Sequence, residues 1–156
     1  MSGPIDIDEW NQRTAERTLE FVRLGYSDII DDDSLFRSMN FTTDCLETKY
    51  LIPAIRLVKT FNSFDGAAVA EGLARFSGRV SCAEFGRSDS PILWLHFPAW
   101  THQRENVDSE KSGERISDAE FESLKEEARR IFVNELNADG FGVHETLNRK
   151  VWIWWD

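Results

Sequence analysis

The sequence predicts an α+β fold: N-terminal helices, then a β-hairpin, a long loop, a helix and a second β-hairpin. Apolar residues recur at helical spacing over about residues 1–77, whereas residues 78–156 hold two pairs of short β-prone segments around one strongly capped helix. Hairpins this short favour a small, mainly antiparallel sheet packed against the helices. Because neither a linker nor a repeat divides the 156 residues, we expect a single globular domain.

The first helix is predicted over Glu9–Leu24, with Asp8 as its cap and Gly25 ending it in a left-handed conformation. Its apolar stripe is thin and consists of Trp10, Thr14, Leu19, Phe21 and Val22. Four aspartates then fall within residues 28–33. Their spacing differs from a calcium-binding loop, so we expect Asp33 or Ser34 to cap a short helical turn through residues 35–39.

Two more helices are predicted before the sheet. The first runs over residues 44–61, opened by the Asp44 and Glu47 pair and bent at Pro53, which lacks a backbone N–H. The second runs from Asp65 to about Phe76, with Val69, Leu73 and Phe76 facing inward.

The first hairpin is predicted from Arg79–Phe85 and Ile92–Phe97, joined by a five-residue loop. Residues 99–115 lack a pattern and are polar, which predicts a mobile solvated loop or, alternatively, a functional one. Ser117 and Glu120 form a capping box that opens a helix over residues 118–137, ended by Asp139-Gly140. Phe141–Glu145 and Arg149–Trp155 form the second hairpin, with a turn at residues 146–148.

Strand alternation assigns the side chains to two faces of the sheet. One face is apolar and is expected to meet helix 118–137: Ala83, Phe85, Leu93, Leu95, Phe97, Phe141, Val143, Val151, Ile153 and Trp155. The other face gathers Cys82, Glu84, Ile92, Trp94, His96, His144, Trp152 and Trp154.

This second face is the best candidate site. Imidazoles, a carboxylate and indole walls can hold a small ligand or supply a general base, so the candidate catalytic residues are His96, His144, Glu84 and Cys82. The candidate binding residues are Trp94, Trp100, His102, Trp152 and Trp154. Packing of these tryptophans into the core, against the N-terminal helices, is the favoured interpretation of the face. A nucleophilic mechanism at Cys82 has the right residue types but lacks a signature turn.

Cys45 and Cys82 have no metal-binding spacing, and we expect two reduced, mostly buried thiols rather than a disulfide. Neither a metal nor a cofactor is predicted. The first residues lack a signal peptide, and the longest apolar run is too short to span a bilayer. We therefore expect a cytoplasmic protein that does not bind membranes.

The net charge of −10 repels phosphate backbones, so nucleic-acid binding is not expected. An acidic surface with aromatic anchors suits a basic protein partner, which favours a non-enzymatic, inhibitor- or immunity-like interaction module. The alternative is a small-molecule-binding protein or small hydrolase that uses the His/Trp face. A further possibility is a homodimer formed through the edge of the C-terminal strand.

Overall fold

A computed structural model describes residues 7–30, 40–98, 116–144 and 149–156. Its helices are α1 (Ile7–Gly25), α2 (Ser27–Ile30), α3 (Thr48–Arg56), α4 (Gly66–Ala74) and α5 (Asp118–Ala128), and α5 continues as a π-helical segment, Arg129–Glu135. The strands are β1 (Phe41–Thr42), β2 (Thr60–Phe61), β3 (Phe64–Asp65), β4 (Cys82–Ser88), β5 (Ser90–His96), β6 (Gly140–Val143) and β7 (Lys150–Trp154). The predicted α+β class is confirmed.

Five of the strands form one antiparallel sheet in the order β1-β4-β5-β7-β6, and β2 pairs with β3 in a small separate hairpin. The turn between β4 and β5 is much tighter than predicted. Ser88 pairs with Ser90, and Asp89 alone reverses the chain with a φ of 60°. The predicted five-residue loop is therefore wrong, because its residues extend the two strands.

The pairing of β5 with β7 joins the two predicted hairpins into one sheet. The C-terminal strand β7 thus lies between β5 and β6, and both of its backbone edges are already paired. A homodimer formed through β7 would have to displace β5 or β6, and dimerisation itself stays a prediction. The sheet edges are β1 and β6.

One face of the sheet carries the helices and the hydrophobic core. Its fully buried side chains are Ala83, Phe85, Leu93, Leu95, Val151, Ile153 and Trp155. Phe85 stacks on Tyr26 with ring centroids 5.7 Å apart, and Trp155 meets Phe64 edge-on at 5.1 Å. The core cluster therefore joins the N-terminal helices to the C-terminal hairpin. The assignment of the chain to a single domain stays a prediction.

Helix α3 is shorter than predicted at both ends. Its start is delayed because the preceding segment pairs with β4: Thr43 N–H donates to the Phe85 carbonyl at 2.9 Å, and Leu46 bridges Ala83. It ends at Arg56 because Lys59, with a φ of 60°, turns the chain into the β2–β3 hairpin. Pro53 lies inside the helix, as predicted.

Helix α1 covers the predicted span, and only part of its predicted apolar stripe is buried. Val22 and Thr18 are buried, whereas Trp10 and Phe21 are 50% and 45% exposed. Gly25 does not end the helix through a left-handed conformation. A Cβ there would lie 2.0 Å from the Phe41 ring, so any larger residue would force this ring to move.

The predicted cap at Ser117 is confirmed, and Asp65, predicted as the first residue of its helix, proves to be the cap of α4. Asp65 accepts hydrogen bonds from the N–H groups of residues 67 and 68, and Ser117 accepts one from Glu120 N–H at 3.1 Å. Asn137, with a φ of 62°, turns the chain after the π-helical segment, whereas Gly140 begins β6. The predicted turn at 35–39, the loop at 99–115 and the turn at 146–148 lie outside the described residues.

Candidate functional site

The sheet face opposite the helices carries a half-buried set of aromatic and polar side chains. We call it the tryptophan face, and it consists of Glu84, Ile92, Trp94, His96, Lys150, Trp152 and Trp154. None of these seven residues belongs to the core cluster or packs against it as a partly buried hydrophobic residue. The expectation that these tryptophans pack in the core is therefore wrong, because α3, α4 and α5 contribute their apolar residues to the opposite face.

Strand register arranges the tryptophan face in three rows across the sheet. The central row runs Glu84–Trp94–Trp152 and ends at Gly142 of β6. The row beside it pairs Ile92 with Trp154, and the row on the other side pairs Cys82, His96 and Lys150. As predicted, even-numbered residues of one strand lie opposite even-numbered residues of the next, which places these side chains on the same face.

Two glycines of β6 provide a flat seat for Trp152. A Cβ at Gly142 would lie 2.5 Å from the Trp152 ring, and one at Gly140 would lie 2.9 Å from it. The indole therefore lies against bare backbone, which sets its orientation. Sequence reasoning missed this contact, although two glycines in a four-residue strand mark a close approach.

A cation already sits on the face. Lys150 Nζ lies 4.3 Å from the centroid of the Trp94 ring and 3.2 Å from a carboxylate oxygen of Glu84. Ring and carboxylate both attract the ammonium, the ring through the negative potential of its π-face. The centre of the tryptophan face is thus a place where a positive charge meets aromatic and acidic groups together.

His96 and Glu84 form a hydrogen-bonded pair between His96 Nε2 and the Glu84 carboxylate. Burial raises the pKa of Glu84, but the hydrogen bond and charge of His96 and the charge of Lys150 outweigh it, so the pKa is lowered overall. The ionised carboxylate can only accept, and Nε2 therefore carries the proton that is donated. This pair fixes the plane of the imidazole ring.

Cys45 and Cys82 form a disulfide with their Cα atoms 5.4 Å apart. The prediction of two reduced thiols is wrong for this structure. The pairing of residues 43–46 with β4 places the two side chains together although 37 positions separate them in the chain. Cys82 is buried, Cys45 is half-buried, and Cys82 pairs across the sheet with His96.

The disulfide and His96 form a compact group of potential metal ligands. Both sulfur atoms and one His96 ring nitrogen lie within 4.8 Å of one another. Sequence spacing could not reveal this group, since its three members come from the segment before α3, from β4 and from β5.

The remaining predicted site residues are dispersed. His144 is exposed at the rim beyond β6, where its backbone N–H donates to the Lys150 carbonyl at 2.8 Å. His144 therefore lies across from Lys150, and β7 separates it from His96 and Glu84. Trp100 and His102 lie outside the described residues. Cys82, bonded to Cys45, does not present the thiolate that a nucleophilic mechanism requires.

A second feature, which sequence reasoning missed, is a groove of about 360 Å³ between α1 and residues 42–46. Its walls include the exposed Trp10 and Phe21 together with Arg17 and Asp44. None of the residues that line this groove belongs to the tryptophan face.

No family model matches the chain, and neither a curated protein nor a solved structure matches it at a significant level. The function must therefore be argued from the geometry alone. Within the described residues, none of the helices combines the length and the apolar character needed to cross a bilayer.

Proposed function

We propose that the protein is a non-enzymatic interaction module that binds a basic protein partner through the tryptophan face. The observation that carries the proposal is the position of Lys150 Nζ, 4.3 Å from the Trp94 ring centroid and beside Glu84. The face accommodates one cation from its own chain, and Trp152 and Trp154 offer the same ring chemistry to cations of a partner.

Two further properties support this role. Tryptophans are among the side chains that contribute most to binding when they are anchored in an interface, and Trp152 is held by the backbone of β6. The net charge of −10 attracts a basic protein over a distance and accelerates its association. An inhibitor- or immunity-like role, in which a basic protein is covered, agrees with both properties.

A small-molecule-binding or hydrolytic function is the alternative, favoured by the His96–Glu84 pair. Such a pair orients an imidazole as a general base. This alternative predicts that His96→Ala abolishes small-molecule binding or turnover while the fold persists. Under the interaction proposal, His96→Ala leaves most of the affinity for a basic partner, because the indole rings remain.

Capture from lysate of the source cells tests the proposal when variants are compared. The baits are the wild type, a Trp152→Ala/Trp154→Ala double variant, and Trp10→Ala as the control outside the face. We expect a basic protein to be retained at low salt by the wild type and the control, and lost from the double variant and at high salt. Equal retention by the double variant contradicts the proposal.

A cytoplasmic location stays a prediction and belongs to this proposal. A Cys45–Cys82 disulfide is typical of oxidising compartments, and the cytosol keeps most thiols reduced. Alkylation of free thiols in intact source cells tests the point. Rapid labelling of both cysteines supports a cytoplasmic location, and labelling only after reduction contradicts it.

A further inference from the structure

We propose that Cys45, Cys82 and His96 form a site for a soft divalent metal ion, such as Zn²⁺, when the disulfide is reduced. The three ligand atoms lie within 4.8 Å of one another. The site shares His96 and Glu84 with the tryptophan face but uses none of the tryptophans, so its test does not depend on whether the face binds a basic partner.

The chemistry of the donor set matches zinc. Two thiolates and one imidazole are ligands that Zn²⁺ prefers, and three protein ligands leave a fourth, open position for water or another donor. With Zn–S bonds of about 2.3 Å, tetrahedral geometry separates the two sulfurs by roughly 3.8 Å. Side-chain rotation can supply that separation between two cysteines whose Cα atoms are 5.4 Å apart.

Glu84 strengthens the assignment. A metal-ligating histidine characteristically donates its other ring N–H to a carboxylate, which fixes the ring and raises its basicity. His96 already bonds the Glu84 carboxylate through Nε2, so we assign Nδ1 to the metal. Lys150, 3.2 Å from Glu84, holds the carboxylate in turn.

Reduction followed by metal binding converts the disulfide into the metal site, with every electron and proton accounted for. A dithiol reductant gives two electrons and two protons to the sulfurs of Cys45 and Cys82, and it is itself oxidised to a disulfide. The metal ion then replaces the two thiol protons, which are released to solvent. The same pair of residues thus alternates between a covalent crosslink and a metal site.

Cobalt(II) is the probe of choice, since thiolate coordination gives it a charge-transfer absorption in the near ultraviolet. The full chain is reduced with a phosphine, which is oxidised to its oxide with water and competes less for metal than a dithiol does. We expect the reduced wild type to bind one Co²⁺ with the thiolate band and release of protons, and to exchange it for Zn²⁺. We expect the oxidised protein to give no thiolate band. A reduced wild type that binds no cobalt, or binds it without the thiolate band, overturns the proposal.

Variants test the individual ligands. His96→Ala is expected to weaken cobalt affinity by more than about tenfold, and Glu84→Gln by about tenfold to a hundredfold. His144→Ala is the matched control, an exposed histidine outside the cluster, and its affinity should equal that of the wild type. Circular dichroism checks that each variant is folded. Wild-type affinity in folded His96→Ala overturns the assignment of this ligand.

Discussion

Lys150 of β7 places its ammonium 4.3 Å from the centroid of the Trp94 ring of β5, and this contact joins two neighbouring strands of the sheet. A lysine on a sheet face usually extends into solvent. Here its side chain is only 24% exposed, because the ring and the Glu84 carboxylate both attract it. In the folded chain, the tryptophan face thus already holds one positive charge against an aromatic ring and a carboxylate.

Removal of this internal cation should strengthen binding of an external one. We expect Lys150→Ala to bind a hexa-arginine peptide about two- to fivefold more tightly than the wild type, since one cation–π contact contributes about 0.5–1 kcal/mol. Isothermal titration calorimetry measures the change. Lys49→Ala is the control, because Lys49 also pairs with a carboxylate and a ring, those of Glu47 and Tyr50, but lies on α3. Equal gains in the two variants would show a general effect of net charge and contradict the prediction.

The seat of Trp152 is predicted to depend on Gly142. Gly142→Ala places a methyl group where the indole lies, 2.5 Å from a ring atom, so the ring must leave its position. We expect weaker peptide binding together with a shift of the Trp152 indole signal in an NMR spectrum. Ser123→Ala, at an exposed position of α5, is the control. An unchanged indole signal in Gly142→Ala would show that the seat does not orient the ring.

The lowered pKa of Glu84 predicts a pH-dependent contribution to stability. A carboxyl group whose pKa is lower in the folded state stabilises the fold above its ordinary value of 4.5, and that contribution is lost as the pH falls through the folded pKa. Glu84→Gln should therefore cost about 1.5–3 kcal/mol at about pH 7 and much less at an acidic pH below the folded pKa.

Urea unfolding of wild type and Glu84→Gln at both pH values measures this difference. Glu71→Gln, at an exposed position of α4, is the control and should change little at either pH. A cost for Glu84→Gln that is as large in acid as at neutral pH would contradict the predicted sign.

The disulfide is expected to stabilise the fold by limiting the unfolded chain. For a separation of 37 residues, the chain-entropy relation gives about 4 kcal/mol. A Cys45→Ser/Cys82→Ser variant should lose about this much in urea unfolding, and a phosphine in metal-free buffer should destabilise the wild type alone. If the phosphine destabilised the double variant equally, the effect would not come from this bond.

The two faces of the sheet could be predicted because successive side chains of a strand point to opposite faces. Once the apolar side chains are assigned to the core, the remaining ones must lie on the other face. A slip of one residue in β5 would move Leu93 and Leu95 out of the core, so burial itself sets the register. The helix cap at Ser117 was predictable for a different reason, since its side chain satisfies a free backbone N–H group within its own segment.

The neighbours within the first hairpin were predictable, whereas two other contacts of the candidate site were not, because they join distant segments. The Asp44 and Glu47 pattern predicts a helix start, but pairing with β4 overrides this local preference and carries Cys45 to Cys82. The seat of Trp152 on Gly142 likewise depends on β6 lying beside β7. The sequence therefore predicts which residues share the face, whereas the tertiary structure decides which of them meet.

The most direct test of the central claim, that the tryptophan face binds cationic side chains, is an NMR titration that observes each indole N–H separately. Hexa-arginine is added to the labelled protein, with hexaglutamate as the control peptide. If the face binds cationic side chains, we expect saturable shifts of the indole N–H signals of Trp94, Trp152 and Trp154, and none for Trp10 or the buried Trp155. Shifts confined to other parts of the acidic surface, or equal shifts with hexaglutamate, would contradict it.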